Sequence, residues 1–323
     1  MTVRLKLLVA FAAAALAVAL IGPVSAKSKR GTPNPPAPEQ STQTPPASVP
    51  RQFFAAKGVQ PLTPEIEQTL KPKDSFKECD ACPEMVVVPK GSFTMGTPVT
   101  EVDRYKGEDP LHRVTLARPF AVGRFTISFD EWDACLADGG CNGDKGDDKF
   151  GRGRMPAQGI SFDAAKSYLA WLSRKVGRTY RLPSESEREY FTRAGTTTPF
   201  WFGKTISSQN ANYAAGTPYA NGPRGVDSKG PVVVDSYAPN PFGLYQVHGN
   251  VWEWTEDCFN KRYTEDTPTD GAPWLEGDCS KRMVRGGLWN WSADKSRSGY
   301  RDDVSTGSGF SFRAVRTLNV PVQ

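Results

Sequence analysis

Between residues 85 and 128 short apolar runs alternate with polar punctuation. "MVVVPKGSFTMG", from Met85, predicts a strand, a turn at Pro89 to Gly91 and a second strand, together a hairpin. "HRVTLARPFAVGRFTIS" alternates apolar and polar positions and predicts one or two further strands. The period then changes. Ser128 and Glu131 form a capping-box pattern ahead of "FDEWDACLADGG", and Gly139 with Gly140 ends that helix. Ser161 caps a longer helix, "FDAAKSYLAWLSRKVG". Its Ala165, Tyr168, Leu169, Leu172 and Val176 share one face, and Gly177 stops it. "RTYRLPSESEREYFTRAG" gives a short strand, a break at Pro183, and a second capping box, Ser184 to Glu187, on a helix ending at Gly195. The rest reads as short strands and loops punctuated by Gly, Pro and Asn. The pattern is that of an α+β domain with two or three helices, short strands and much irregular backbone.

The N-terminal segment has a different texture. Arg4 and Lys6 precede the apolar run "LLVAFAAAALAVALIG", and "PVSA" ends in the small residues of a signal-peptidase site. Residues 1–26 read as a cleaved secretory signal, which places the mature chain in the periplasm or outside the cell. The alternative is an uncleaved anchor, for which the run is slightly short of the ~20 residues of a span. No other segment has the length and apolarity to cross a bilayer, so no span is expected in the mature protein. Residues 27–78 are rich in Pro, Ser and Thr and read as a disordered linker. Within them "TPEIEQTLKP" suits a short helix with Thr63 as cap and Pro64 at its first position. The folded domain is expected over 79–323.

Composition narrows the function. The formal net charge is +5, with acids and bases interspersed, and no Lys/Arg run lies beside aromatics. Nucleic acid is therefore not an expected partner. The 30 Gly and 27 Pro favour turns over long helices. Six cysteines in an exported chain suggest disulfides. Sequence neighbours give Cys79 with Cys82, Cys135 with Cys141, and Cys258 with Cys279. The last closes the longest loop, worth roughly 3 kcal/mol in the chain-entropy model. A zinc or redox role for Cys79-x-x-Cys82 is the rival reading. No second CxxC supports zinc, and no βαβ context supports redox.

Five blocks carry a resemblance. "MVVVPKGSFTMG", "PLHRVTLARPFAVGRFTISFDEW", "MPAQGISFDAAKSYLAWLSRKVGRTYRLPSESEREYFTRAG", "NPFGLYQVHGNVWEWTED" and "RMVRGGLWNW…SGFSFRAVR" resemble, in this order, the formylglycine-generating enzyme or sulfatase-modifying factor family. The likeness runs over about residues 83–318. It implies a compact, irregular α+β fold similar to C-type lectins, stabilised by structural calcium. Calcium takes six to eight oxygens from carboxylates, carbonyls and amides. The resemblance puts one site at Gln246, Gly249, Val251 and Glu253, with Gly249 and Val251 giving carbonyls, and Gln246 where the family commonly has Asn. It puts a second site, with looser spacing, at Asn212, the Tyr213 carbonyl and Asp227. The plainer reading of Glu253 is that it caps a turn or pairs with an arginine.

The same resemblance bears on chemistry. Oxidase members hold copper on two cysteines just after the R-x-x-x-G-G motif, and soft thiolates suit Cu(I). Here Leu288 stands where those enzymes carry Ser, Trp291 stands at the first copper cysteine, and the second falls at or near Ser296. No cysteine follows Cys279. A relocated copper pair at Cys258 and Cys279 is the remaining route, and a disulfide explains them more simply, so copper is not expected. The family's substrate cleft would involve Trp289, Asn290, Trp291, Arg297 and Arg301. The bland alternative has Trp289 and Trp291 alternating on a core-facing strand, and Arg301 and Arg313 pairing with nearby carboxylates. His112 reads as structural, and His248 as lining the surface near the calcium turn. Glu256, Asp257, Asp302 and Asp303 read as solvated faces or loop caps. No GxSxG supports a serine nucleophile.

Three functions follow. The first is an envelope protein handling a peptide or secondary metabolite without copper, as some cysteine-less relatives do in siderophore maturation. The second is a non-catalytic, calcium-stabilised binding domain. The third is a formylglycine-generating oxidase acting on sulfatase cysteine, which the missing cysteines disfavour most.

Overall fold

A computed structural model describes residues 60–141 and 144–319. The signal peptide and most of the linker expected from the sequence lie outside the described residues. Among the described residues no helix is long and apolar enough to cross a membrane.

The fold begins before Cys79. Helix α1 (Pro64–Thr69) has the expected Thr63 cap, whose side chain accepts from the Ile66 amide. Strand β1 (Ser75–Phe76) pairs with β2 (Met85–Val88). The domain boundary at 79 is therefore too late. Leu62 and Phe76 of this segment pack into the main core, and buried charge ties it down as well. Arg316, fully buried, binds Glu67 through Nη2 at 2.9 Å and Glu78 through Nε at 2.7 Å.

"MVVVPKGSFTMG" is not a hairpin. Strand β2 lies between β1 and β5 (Phe120–Gly123) in a five-stranded antiparallel sheet, and β3 (Gly91–Met95) pairs with β4 (His112–Leu116) in a separate ribbon. The reason lies in the two burial patterns. All four residues of β2 are buried, as an interior strand requires, whereas β3 keeps exposed positions. The turn at Pro89 thus carries the chain between sheets. The order of the large sheet is β1-β2-β5-β10-β6, with β6 at Tyr180–Arg181 and β10 at Val315–Thr317.

The helices form as the capping patterns require. In α2 (Phe129–Ala137) the Ser128 amide donates to Glu131 at 2.7 Å. In α3 (Phe162–Val176) Ser161 accepts from the Ala164 amide, and Gly177 closes the helix at φ 69°. All five residues of its expected face are buried. Trp132 of α2 stacks on Tyr168 of α3 with centroids 5.8 Å apart, and Phe312 meets Tyr168 edge-on. Helix α4 (Glu185–Arg193) has its Ser184–Glu187 box. It stops two residues before the expected Gly195, with Ala194 in the left-handed region.

A third, antiparallel sheet combines β7 (Glu253–Phe259), β8 (Asp278–Arg285) and β9 (Asp302–Ser305). All nine residues of α4 are buried, and the helix packs against β3, β7 and β8. The three disulfides join the cysteines as their neighbours in sequence suggest, and the described residues hold no free cysteine. Cys79 and Cys82 are joined to each other and so offer no thiolate pair.

Candidate functional site

The segment Gln246–Glu253 folds as a tight turn entering β7. Gln246 and Asn250 both take positive φ, 49° and 67°. Gly249 lies at φ 72°, and a Cβ there would meet the Asn212 carbonyl at 2.2 Å. Only glycine allows that approach. Asn250 staples the turn: its amide group binds Gln246 Oε1 and the Val232 carbonyl, and its oxygen accepts from Asn212 and Val232.

Glu253 sits fully buried below this turn. Its Oε2 accepts from Arg188 Nε at 2.9 Å, and its Oε1 accepts from Arg313 Nη2 at 2.9 Å and from Thr126 at 2.5 Å. Burial alone would raise its pKa; Arg188 and Arg313 outweigh that and hold it below the usual range. Gln246 spends its oxygen on Asn250, and the Gly249 carbonyl accepts the Val251 amide at 3.0 Å. The residues expected to ligate calcium here do not fit it. Both carboxylate oxygens already face guanidinium groups, so the plainer reading of Glu253 holds.

The second expected calcium set is differently placed. Asn212 is buried and its amide donates to the Gly230 carbonyl. Tyr213 is buried with its hydroxyl on Ile206. Asp227 is exposed and accepts from the Gly216 amide at 2.5 Å. Among the described residues it pairs with no arginine or lysine.

The cleft residues divide. Arg297 is fully buried against Glu108 and Glu101, and Arg301 binds Glu185 through two nitrogens. Both hold the fold, as do Arg188, Arg285 and Arg313, and neither is among the residues lining the aromatic cavity around Trp289. Trp289, Asn290 and Trp291 lie on a turn after β8 and not on a strand, so the core-facing alternative fails. Trp291 is 40% exposed and meets buried Trp252 edge-on at 5.8 Å. Trp289 lines a cavity of about 250 Å³ with Phe150, Trp252, Leu288 and Phe310 as its apolar walls. Phe150 and Trp289 meet edge-on at 5.5 Å. Buried Ser311 also lines it, its hydroxyl without a partner, while exposed Asp147 and Lys149 stand at the lining's polar side. Phe150 and Phe310 were not legible as cleft residues, because both lie in Gly-rich loops far from Trp289 in sequence.

The other titratable groups singled out in the sequence are not among the residues lining this cavity. His248 is buried and not at the surface: Nδ1 faces the Ser296 carbonyl at 2.7 Å and Nε2 accepts from the Trp201 amide. Burial pulls its pKa down to about 3, so it is neutral in the fold. His112 opens β4, with Nδ1 on the Pro110 carbonyl. Asp257 is buried, unlike the solvated acid expected, and accepts from the Glu185 and Trp274 amides. Glu256 pairs with Lys166 and Asp303 with Lys281. Asp302 accepts from the Tyr300 hydroxyl.

At the copper positions of the resemblance stand the Trp291 ring and the buried Ser296 hydroxyl. Cys258 and Cys279 are joined to each other and offer no thiolate. Fold and cleft together define a formylglycine-generating-enzyme-like domain without the thiolate pair. The chain belongs to the family of the sulfatase-modifying factor enzyme 1-like domain, which matches residues 71–319. PvdO from Pseudomonas aeruginosa superimposes with a TM-score of 0.69 at 39% identity, over 77% of this chain and 100% of that one. Formylglycine-generating enzyme from Mus musculus is 27% identical over 59% of this chain and 64% of its own length. This chain thus spans less than two thirds of that enzyme. The inactive C-alpha-formylglycine-generating enzyme 2 from Mus musculus is 30% identical over 38% of each chain.

Proposed function

We propose that this is an exported domain of the cell envelope whose aromatic cleft holds a peptide or small-molecule ligand, without copper-thiolate oxidase chemistry. One observation carries the reading. A cavity of about 250 Å³ has four aromatic walls, one of which, Trp252, packs on Trp291 at the first expected copper position, and no free thiol lies among the described residues. Such a cavity suits a flat apolar group, with Trp289 as a rigid anchor. A purely binding role is the second reading. It is favoured by the lining itself, which offers no histidine and no buried carboxylate for acid–base work. Calcium at the turn of Asn212, Tyr213 and Asp227 belongs to this proposal as a structural ion, to be counted by elemental analysis.

The test uses the mature chain and N-acetyltyrosine amide as a minimal peptide probe. Tryptophan fluorescence should report saturable binding that Trp289→Ala weakens at least about tenfold, the scale of one aromatic anchor. Mass spectrometry of the probe afterwards separates conversion from simple binding. Binding unchanged by Trp289→Ala, or no binding at all, would sink the cleft reading.

A further inference from the structure

We propose that the turn at 246–253 carries its cation covalently: the Arg188 guanidinium, backed by Arg313, fills the place where the family resemblance puts calcium, and the turn binds no metal. Arg188 is fully buried and reaches the turn from α4. Nε donates to Glu253 at 2.9 Å, Nη2 to the Val247 carbonyl at 3.2 Å, and Nη1 to the Thr192 hydroxyl. Of the expected calcium ligands Arg188 engages Glu253, and its other partner in the turn, the Val247 carbonyl, lies outside that set; both are oxygens of the kind calcium takes. Here they are used by one planar cation.

The surroundings are shaped for it. Gly286, at φ +108°, would place a Cβ 2.8 Å from Arg188 Nη2, so this glycine makes room for the guanidinium. The gap lined by Arg188, Glu189, Thr192, Val247, Arg285 and Gly286 has no space for a water. Arg313 supplies a second charge, with Nη1 on the Gly123 and Arg124 carbonyls and Nη2 on the Tyr245 carbonyl. Two guanidiniums on one carboxylate leave a surplus of one positive charge. A divalent ion would add two more inside a buried site, where repulsion is poorly screened. A fixed arginine also needs no ion from the medium. The turn therefore keeps its shape in any calcium concentration, unlike a turn that must recruit its cation.

The deciding experiment is a crystal of the wild-type mature protein grown with millimolar calcium. The expected map shows both guanidiniums on Glu253 and no ion within reach of it. An ion bound by Glu253 with Gln246, Gly249 or Val251 overturns the proposal. Arg188→Ala supplies the second arm. Its melting temperature should fall by about 10 °C, since one buried partner is lost. Calcium should restore part of that loss in Arg188→Ala, measured against magnesium-free sodium chloride of equal ionic strength, and leave the Glu253→Gln, Arg188→Ala double variant unchanged. Equal calcium responses in the single and double variants would count against a vacated cation place at Glu253. If Arg188→Ala fails to fold, the wild-type map still decides.

Discussion

Two neighbouring helices of similar construction are buried in opposite ways. Helix α3 is amphipathic: Ala165, Tyr168, Leu169, Leu172 and Val176 face the core and its polar residues face out. Helix α4, "ESEREYFTR", has charges all round and would read as a surface helix, yet every residue is buried. Tyr190 and Phe191 pack in an apolar cluster with Val86, Val88 and Leu244, and the charged positions are held by side-chain pairs. Glu185 binds Arg301, Glu187 binds Arg181, Arg188 binds Glu253, and Glu189 binds Arg193 and Arg285. Burying a charge is costly unless it is paired and hydrogen-bonded, and here the pairing covers each one. The contrast shows two solutions to one problem. The apolar side of the domain closes around rings and methyl groups. The irregular side, with few long elements, closes around ionic contacts to α4.

The largest expected effect therefore lies on the polar helix. Glu189 is fully buried, and its carboxylate serves Arg193, Arg285 and the Gly96 amide. Glu189→Ala strands two buried guanidiniums and should cost about 5 kcal/mol, the upper end for one lost partner of a buried pair. Leu172→Ala on α3 opens an apolar cavity and should cost about 3 kcal/mol. Urea midpoints with unchanged slopes measure both. If the leucine costs more than the glutamate, the ionic hub is not the centre of this fold.

The same contrast decides how much could be read from sequence. Periodicity and capping residues are local, and they located α2, α3 and the start of α4 within a residue or two. Cysteine spacing located all three disulfides. The strand "MVVV" was legible, but its partners were not, since β2 pairs with β1 and, more than 30 residues on, with β5, and not with β3 just after it. Ion pairs are the extreme case. Arg316 reaches Glu67 across 249 positions, and no local pattern links them, so a packed segment read as linker. The partners of Glu253, Arg188 and Arg313, lie 65 and 60 positions away, and nothing in the motif around the carboxylate points to them. Trp289, within the "RMVRGGLWNW…SGFSFRAVR" motif, lines the aromatic cavity. Arg297 and Arg301 share that motif and turned inward.

A pH series tests the hub's own electrostatics. Asp257 lies at the head of α4, with its oxygens on the Glu185 and Trp274 amides. Those amides favour the anion, but burial and the nearby Glu185 carboxylate oppose it and push the pKa up to about 8 from 3.8. Glu185 itself stays anionic: burial works against this, and Arg301 and Arg285 overcome it. The folded state thus holds a proton on Asp257 that the unfolded chain has released between about pH 4 and 8. Stability from this group is complete below its unfolded pKa and is lost as pH rises through the folded one. Asp257→Asn carries no proton in either state and should remove this slope. The stability difference between wild type and Asp257→Asn should therefore shrink steadily from pH 4 to pH 8, read from melting temperatures across that range. A difference that stays flat would mean that the helix-head amides hold Asp257 as an anion, and that even the crowded end of α4 keeps its charges fully paired.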